Sequence, residues 1–384
     1  MCKSSFGHPA WIEIDLIQFK KNIIKIKEHI GCTQLCIPVK ANAYGHGLIP
    51  IAQAACQVGV DYLAVSCLQE GALLRQAGIH IPILVLGAIH LEQITGLIHY
   101  GLEFTIDSIF KAKMVAHICE KLNKSVKVHL EIDTGMNRTG VHIGSAVDLI
   151  TFIDMCPCIE LVGVYSHFAM VDDPENPFTH QQIQVFKNFT KEYVLKRDKK
   201  IICHIANSGG VVHFPDSYMH MVRPGILAFG NYLPLPKALR EIQPCFTLRA
   251  KIAYVKNVPK GEGISYAHLY TTQTSTRIIT IPLGYGDGLR RSLSNKAHIL
   301  MKGKRYPIAG TICMDQFMVD IGQDSANVGD IVTIIGQDAG ENITVNEMAM
   351  LCETISYEIL CGFNNRLPRM YHSRIKTLNI RTAS

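Results

Sequence analysis

Residues 35–47, LCIPVKANAYGHG, decide the fold, because an apolar run ends there in a lysine and a turn of small residues follows. The run 35–39 is short, contains β-branched residues and precedes turn-forming residues, which predicts a buried strand. Partial burial of Lys40 at the end of that strand lowers the pKa of its amine, and such an amine can form a Schiff base with a carbonyl. Taken alone, Lys40 also fits a strand-end residue whose long side chain extends into water.

Segments of the same kind recur up to about residue 225, and amphipathic stretches separate them. A repeated order of strand and helix predicts parallel pairing, and eight such units close into a (β/α)8 barrel of the TIM type. The strands do not alternate between apolar and polar residues, as expected when both faces are covered. The predicted strands are 35–40, 61–66, 82–87, 102–106, 126–132, 160–167, 201–205 and 219–223, and the clearest helices are 68–77, 108–122, 146–153 and 181–195.

The pattern changes after Pro224, where a proline-rich stretch at 231–244 predicts a linker. Beyond it, β-branched runs are punctuated by Gly, Asp and Asn, which predicts a mostly antiparallel β domain. We therefore divide the α/β chain into a barrel domain, 1–242, and a β-rich C-terminal domain, 243–384. The predicted elements of the second domain are strands 246–255, 276–281, 297–301, 316–321, 330–335 and 374–379, and a helix at 345–351.

The composition restricts the class of function. A net charge of +6 over 384 residues, without a basic stripe, argues against nucleic acid as a partner. The chain starts without an apolar signal region and has no uninterrupted apolar run of spanning length, so we expect neither a secretory signal nor a membrane helix. Most of the 13 cysteines lie in apolar runs without zinc-ligand spacing, which indicates a cytoplasmic protein and no metal site.

Polar residues that suit catalysis follow the predicted barrel strands, where the active site of such a barrel lies. Ser208 with two following glycines opens a predicted helix that favours an anion, and Gly225 allows close approach of further N–H groups. A carbonyl-reactive lysine and a phosphate site on one barrel indicate pyridoxal phosphate, although each residue alone also fits a plain turn or a packed strand end. The residues are Lys40 ending strand one, Arg138 after strand five, His167 ending strand six, Asn207 and Ser208 after strand seven, and Arg223 and Gly225 after strand eight.

Short motifs throughout the chain are similar to those of alanine racemases of the pyridoxal-phosphate barrel type. In the barrel they are KANAYGHG at 40–47, HIANS at 204–208 and RPG at 223–225. In the β-rich domain they are SY at 265–266, CMDQ at 313–316 and ISYE at 355–358. The first is the lysine motif of that family and is highly specific. The resemblance implies an isomerase that interconverts L-alanine and D-alanine and supplies D-alanine for peptidoglycan.

The resemblance also implies a two-base mechanism, with Lys40 holding pyridoxal phosphate as a Schiff base and then acting as a base on one face of the substrate. Tyr266 would act on the opposite face, and because a phenol titrates near ~10 it needs a neighbour that shares its proton. That neighbour is implied to be His167, linked in turn to Arg223. The implied cofactor ligands are Lys40, Tyr44, Arg138, His167, Asn207, Ser208, Arg223, Gly225, Ile226 and Tyr357, and the implied substrate ligands are Arg138, Met314 and Tyr266.

Arg223 distinguishes this activity from that of a barrel decarboxylase. The resemblance places its guanidinium against the pyridine nitrogen, where a cation disfavours protonation, whereas the decarboxylases place a carboxylate there. Two bulky residues, Tyr266 and Tyr357, favour alanine as the substrate, and a broad-specificity racemase is the alternative. A non-catalytic cofactor carrier is disfavoured, since a carrier needs no second base. In this family Tyr266 and Met314 reach the barrel of a partner subunit, which implies a homodimer.

Two positions depart from the family pattern. Glu131 stands where many relatives have a lysine converted to a carbamate, and we predict that its carboxylate pairs directly with Arg138. Thr311 stands where many relatives have an arginine that lines the path of the substrate. The charge along that path is therefore open at this point.

Overall fold

The computed structural model describes residues 7–373. These residues form two compact units. One unit consists of Lys20–Ala43 and Leu48–Gln243, and the other consists of the described residues of Met1–Phe19, Tyr44–Gly47 and Pro244–Ser384. We call the first the barrel unit and the second the β-rich unit.

The barrel unit contains a parallel sheet whose eight main strands follow one another in chain order, except that the eighth pairs with the first. Strands seven and eight approach closely, since the His220 N–H donates to the Cys203 carbonyl at 3.1 Å, so the barrel is nearly closed. The predicted α/β fold class is confirmed. Barrel strands one to eight are Gln34–Pro38, Tyr62–Val65, Ile83–Val85, Glu103–Ile106, Val126–Asp133, Ile159–Tyr165, Ile202–His204 and Met221–Val222.

Helices separate these strands, and their side-chain caps explain several starts. Ser108 accepts a hydrogen bond from the Lys111 N–H at 3.3 Å, and Asn176 accepts one from the Phe178 N–H at 3.0 Å. The strands between the helices are buried on both faces, as the uninterrupted apolar runs predict. The helices between the strands are Leu48–Gln57, Leu68–Gln76, Ile94–His99, Ile109–Leu122, Ile143–Asp154, Pro177–Tyr193 and Ser208–His213, and helix Leu16–Ile30 precedes strand one.

The β-rich unit contains a seven-stranded, a three-stranded and a two-stranded sheet, and all but one of their strand pairs are antiparallel. Two helices, Val345–Leu351 and Ser356–Gly362, belong to the same unit. The seven-stranded sheet consists of Ala10–Asp15, Phe246–Lys251, His298–Met301, Lys304–Pro307, Ile331–Asp338, Glu341–Ile343 and Arg369–His372. The smaller sheets consist of Tyr254–Val258, Thr276–Ile281 and Phe317–Asp320, and of Gly263–Ile264 and Tyr270–Thr271.

Three details differ from the sequence predictions. Strand Ala10–Asp15 groups with the β-rich unit, because it pairs with Phe246–Lys251 and Arg369–His372, whereas we assigned all residues before 243 to the barrel domain. The predicted strand 246–255 is interrupted at residues 252 and 253, so its two halves join different sheets. The predicted strand 374–379 lies outside the described residues.

Candidate functional site

Lys40 is followed by a turn of left-handed backbone. Ala41, Asn42 and Ala43 have φ values of 53°, 54° and 53°, a conformation that costs an L-residue roughly 1–2 kcal/mol. Hydrogen bonds hold the turn: the Leu48 N–H donates to the Asn42 side chain and the Ala43 N–H donates to the Val39 carbonyl, each at 2.8 Å. Strain maintained by such contacts concentrates at functional sites. The backbone that carries Lys40 is therefore fixed.

Arg223 lies immediately after barrel strand eight and is only 3% exposed. Its guanidinium donates to the Ser166 carbonyl at 2.8 Å and to Nδ1 of His204, and it lies 5.2 Å from the ring centre of Tyr165. These contacts fix the plane of the guanidinium. The resemblance implied a link between Arg223 and His167, whereas within residues 7–373 the side chain that accepts a hydrogen bond from Arg223 is His204.

His167 lies at the end of barrel strand six, where burial and the positive charges of Arg223, Arg138 and Lys40 lower its pKa to about 3. An imidazole in this position is neutral near pH 7, so one of its ring nitrogens can accept a hydrogen bond. Because all three cations act on His167, the structure brings these four predicted residues together at the carboxyl ends of the barrel strands. Their convergence is the central geometric property of the barrel unit.

The loops after strands seven and eight provide hydrogen-bond donors for an anion. The Ser208 hydroxyl accepts from the Leu227 N–H at 3.2 Å, which joins the two loops, and Asn207 caps the short helix Ser208–His213. The buried N–H groups of Gly225 and Ile226 have no hydrogen-bond acceptor within residues 7–373. Buried donors in native proteins normally have partners, so these two suit an anionic ligand.

Glu131 does not form the ion pair that we predicted. Its side chain is buried inside barrel strand five, whereas Arg138 lies exposed in the loop that follows, and no ion pair between them occurs in the described part of the chain. One carboxylate oxygen of Glu131 is buried without a hydrogen-bond partner. Burial raises the pKa of the carboxyl, against opposing contributions from a hydrogen bond to Thr139 and from the charges of Arg223 and Arg138.

In the β-rich unit, Tyr266 is 72% exposed and follows Ser265, which has a φ of 65°. The Ser265 hydroxyl donates to the Thr311 carbonyl at 2.7 Å, and the Thr311 hydroxyl donates to the Tyr266 carbonyl at 2.9 Å. Thr311 is buried, so here it is a support for the tyrosine rather than a residue lining an open path. Sequence reasoning missed this role because it depends on a contact across 45 residues.

Met314 and two tyrosines complete the predicted residues of the β-rich unit. Met314 is 53% exposed, and its carbonyl accepts from the Gly286 N–H at 2.8 Å. Next to it, Cys313 lies 3.5 Å from the Ser265 hydroxyl, so the segments of Met314 and Tyr266 are neighbours. Separately, the rings of Tyr44 and Tyr357 contact each other with their centres 5.8 Å apart.

Two family models match the chain: "Alanine racemase, N-terminal domain" over residues 14–233, and "Alanine racemase, C-terminal domain" over residues 245–371. The chain belongs to the alanine racemase family. An alanine racemase of Synechocystis is 39% identical over 369 residues, which cover 94% of this chain and 98% of that protein. The prediction of an isomerase that acts as an amino-acid racemase is thereby confirmed.

Solved alanine racemases have the same fold. One from Clostridium difficile superposes with a TM-score of 0.90 at 34% identity, covering 96% of this chain and 97% of that one. Another from Bartonella henselae, described with covalently bound pyridoxal phosphate, superposes with a TM-score of 0.85 at 26% identity, covering 95% and 100%. In this alanine racemase family member, residues 7–373 contain no cluster of three or more potential metal ligands and no helix long and apolar enough to cross a membrane.

Replacing Thr311 with valine is expected to lower kcat for racemisation about tenfold while changing KM less than threefold. Valine keeps the shape of threonine but leaves the Tyr266 carbonyl without its donor, so the tyrosine segment loosens. Steady-state kinetics of Thr311→Val measures this effect. Thr190→Val is the matched control, because the Thr190 hydroxyl is equally buried and also donates to a carbonyl, but inside helix Pro177–Tyr193. Equal losses in both variants would contradict a specific role of Thr311.

Proposed function

We propose that the chain interconverts L-alanine and D-alanine with pyridoxal phosphate as its cofactor. The observation that carries the proposal is the convergence of Lys40, Arg138 and Arg223 on a neutral His167 at the carboxyl ends of the barrel strands. A reactive amine and a buried guanidinium in one site suit this cofactor, and the family relationship supports the same assignment.

The residues present fit the cofactor. The Lys40 amine would hold its aldehyde carbon, and the unpartnered N–H groups of Gly225 and Ile226 would bind its phosphate. Ser208 and Asn207 would add to the phosphate side of the site. When bound, pyridoxal phosphate supplies an electron sink that stabilises a carbanion at the substrate Cα. The remaining ligands that we propose are Tyr44 and Tyr357 for the phosphate, Arg138 for the phenolic oxygen and Arg223 for the pyridine nitrogen.

Two bases move the proton of the substrate. The freed Nζ of Lys40 takes or returns the Cα proton on one face, and the phenolic oxygen of Tyr266 does so on the other. His167 is neutral, so a ring nitrogen can accept a hydrogen bond from the Tyr266 phenol and orient it. Arg138 and the backbone N–H of Met314 hold the substrate carboxylate and thereby orient Cα between the two bases.

The active form is proposed to be a homodimer in which Tyr266 and Met314 complete the barrel site of the partner subunit. Their exposure of 72% and 53% supports this arrangement, since a catalytic phenol open to water is poorly placed for proton transfer. A 550 Å³ hollow beside Tyr266 is lined by Tyr254, Ala267 and His268, which gives this face a concave shape. An isologous two-fold contact would produce two composite sites.

The substrate assignment is tested with the purified protein and added pyridoxal phosphate. We expect L-alanine to lose optical rotation, and L-serine and L-lysine to react at least about tenfold more slowly, because each requires a larger side-chain pocket. Chiral chromatography of the products distinguishes racemisation from decarboxylation. Comparable rates for the three amino acids would instead identify a broad-specificity racemase. Racemisation of alanine would also support a role in supplying D-alanine for peptidoglycan.

A further inference from the structure

Three buried polar side chains connect Arg223 to the amino end of barrel strand four. Nδ1 of His204 accepts a hydrogen bond from Arg223, and Nε2 of His204 lies 3.0 Å from Nδ1 of His129. Nε2 of His129 in turn lies 2.9 Å from the Glu103 carboxylate. We call Glu103, His129 and His204 the polar relay. Each of its members is buried, and the proposed mechanism assigns a role to none of them.

The donors and acceptors of the relay can all point in one direction. A guanidinium only donates, so Nδ1 of His204 carries no proton, and a neutral His204 donates from Nε2 to Nδ1 of His129. By the same reasoning His129 donates from Nε2 to the Glu103 carboxylate. Burial, followed by the charge of Arg223, lowers the pKa of His204 well below its usual range, in keeping with a neutral ring. Two neutral imidazoles therefore join a buried cation to a carboxylate.

The barrel is shaped to admit this relay. His129 lies on strand five and His204 on strand seven, so the ring of His129 must pass across strand six. At the crossing point strand six has Gly163, where a Cβ atom would lie 2.1 Å from Nδ1 of His129. Gly163 lies outside the left-handed φ region, so its backbone does not require glycine. Gly163 is therefore explained by space, because any side chain there would collide with the imidazole of His129.

The far end of the relay faces a cavity of about 350 Å³ at the opposite end of the barrel from Arg223. Glu103 lines this cavity together with other charged or titratable groups. The Tyr62 ring packs edge-on against His129, with the ring centres 6.2 Å apart. A carboxylate that only accepts hydrogen bonds is a suitable terminus for the chain of donors. The other charged or titratable groups that line the cavity are Arg75, His80, Lys127 and Glu160.

We propose that Glu103 and His129 are positioning residues that act through His204 to fix the plane of the Arg223 guanidinium. The inference rests on the proposed function in that Arg223 faces the pyridine nitrogen of the cofactor. Glu103 accepts from His129, so the proton of His129 lies on Nε2 and its Nδ1 accepts from His204. The proton of His204 then lies on its Nε2, so its Nδ1 accepts from Arg223 and keeps the guanidinium in one orientation. Loss of any member leaves a buried donor or acceptor without a partner.

The relay itself is tested by NMR of the full chain labelled with ¹⁵N-histidine. The wild-type protein should show two exchange-protected Nε2–H signals, from His129 and His204. Glu103→Gln keeps an acceptor oxygen and should retain both signals, whereas Glu103→Leu and Gly163→Ala should lose at least one. Glu160→Gln is the control, because Glu160 lines the same cavity and undergoes the same change of charge. Retention of both signals in Glu103→Leu and Gly163→Ala would overturn the relay.

The effect on Arg223 is tested with the same variants carrying pyridoxal phosphate. Glu103→Leu and Gly163→Ala should lower kcat roughly tenfold, with KM for alanine within about twofold, and should shift the visible absorption band, while Glu103→Gln stays within about threefold. Lower thermal stability with unchanged kcat and absorption per folded protein would show that the relay is merely structural and overturn the proposal. If the wild-type protein fails to bind the cofactor, the proposed function falls, and the NMR result still decides whether the relay exists.

Discussion

Lys40→Ala is expected to lower alanine racemisation by roughly 10⁴-fold or more and to remove the visible absorption band of the bound cofactor. The size of the effect follows from two roles in one side chain, since the Lys40 amine is both the covalent attachment and one of the two bases. The left-handed turn after Lys40 strengthens this expectation, because it fixes the backbone position of Lys40. A lysine at another position would not present its amine in the same place. Absorption spectroscopy and a coupled assay for D-alanine measure the two losses separately.

Lys124→Ala is the matched control for that experiment, because Lys124 is an exposed lysine of the barrel unit in the loop after helix Ile109–Leu122. It should leave turnover and absorption within about twofold of the wild type. Should Lys40→Ala keep the absorption band and more than a hundredth of the turnover, Lys40 would hold neither role.

Tyr266→Phe is expected to lower kcat by roughly 10³-fold while the absorption band remains, because removing one general base costs catalysis but not cofactor attachment. Mixing this variant with Lys40→Ala tests where the tyrosine acts. Random pairing gives half mixed dimers, each with one intact composite site of two, so about a quarter of wild-type activity should return. The measurement is turnover after joint refolding or co-expression.

Tyr254→Phe is the control for the tyrosine, since Tyr254 lines the same hollow, is also exposed and has no proposed role. We expect it to retain activity within about twofold. If the mixture of Lys40→Ala and Tyr266→Phe stays as inactive as its components, Tyr266 acts within its own subunit or not at all, and the composite site is refuted.

The sequence predicted the barrel well because its signal is local. Each strand is a short apolar run between turn residues, and a repeated order of strand and helix has few alternatives. Strand Ala10–Asp15 was missed although its burial alternates along its length, since it precedes the barrel and pairs with strands more than 200 residues away. Local periodicity in the sequence does not show which distant strand a segment pairs with.

The site was less predictable than the fold. Position after a barrel strand was sufficient to select Lys40, His167 and Arg223, because the geometry of a parallel barrel places such residues at one mouth. The hydrogen-bond partner of Arg223 could not be predicted in this way, since His204 and His129 have the same strand-like surroundings in sequence as any packed histidine. The ion pair predicted for Glu131 failed for a related reason: sequence gives the residue type but not that Glu131 is buried while Arg138 is exposed.

In the left-handed segment that follows Lys40, low backbone strain and a fixed backbone position are opposing requirements. Residues 41–44 have side chains in a left-handed conformation that glycine adopts without steric strain, and each pays roughly 1–2 kcal/mol of backbone energy for it. Glycines would relieve that energy, yet they would let the backbone sample many more shapes and spread the amine over a wider volume. A lower backbone energy and a precisely placed Lys40 amine therefore require different residues at positions 41–44. The residues present are those that favour precise placement of the amine.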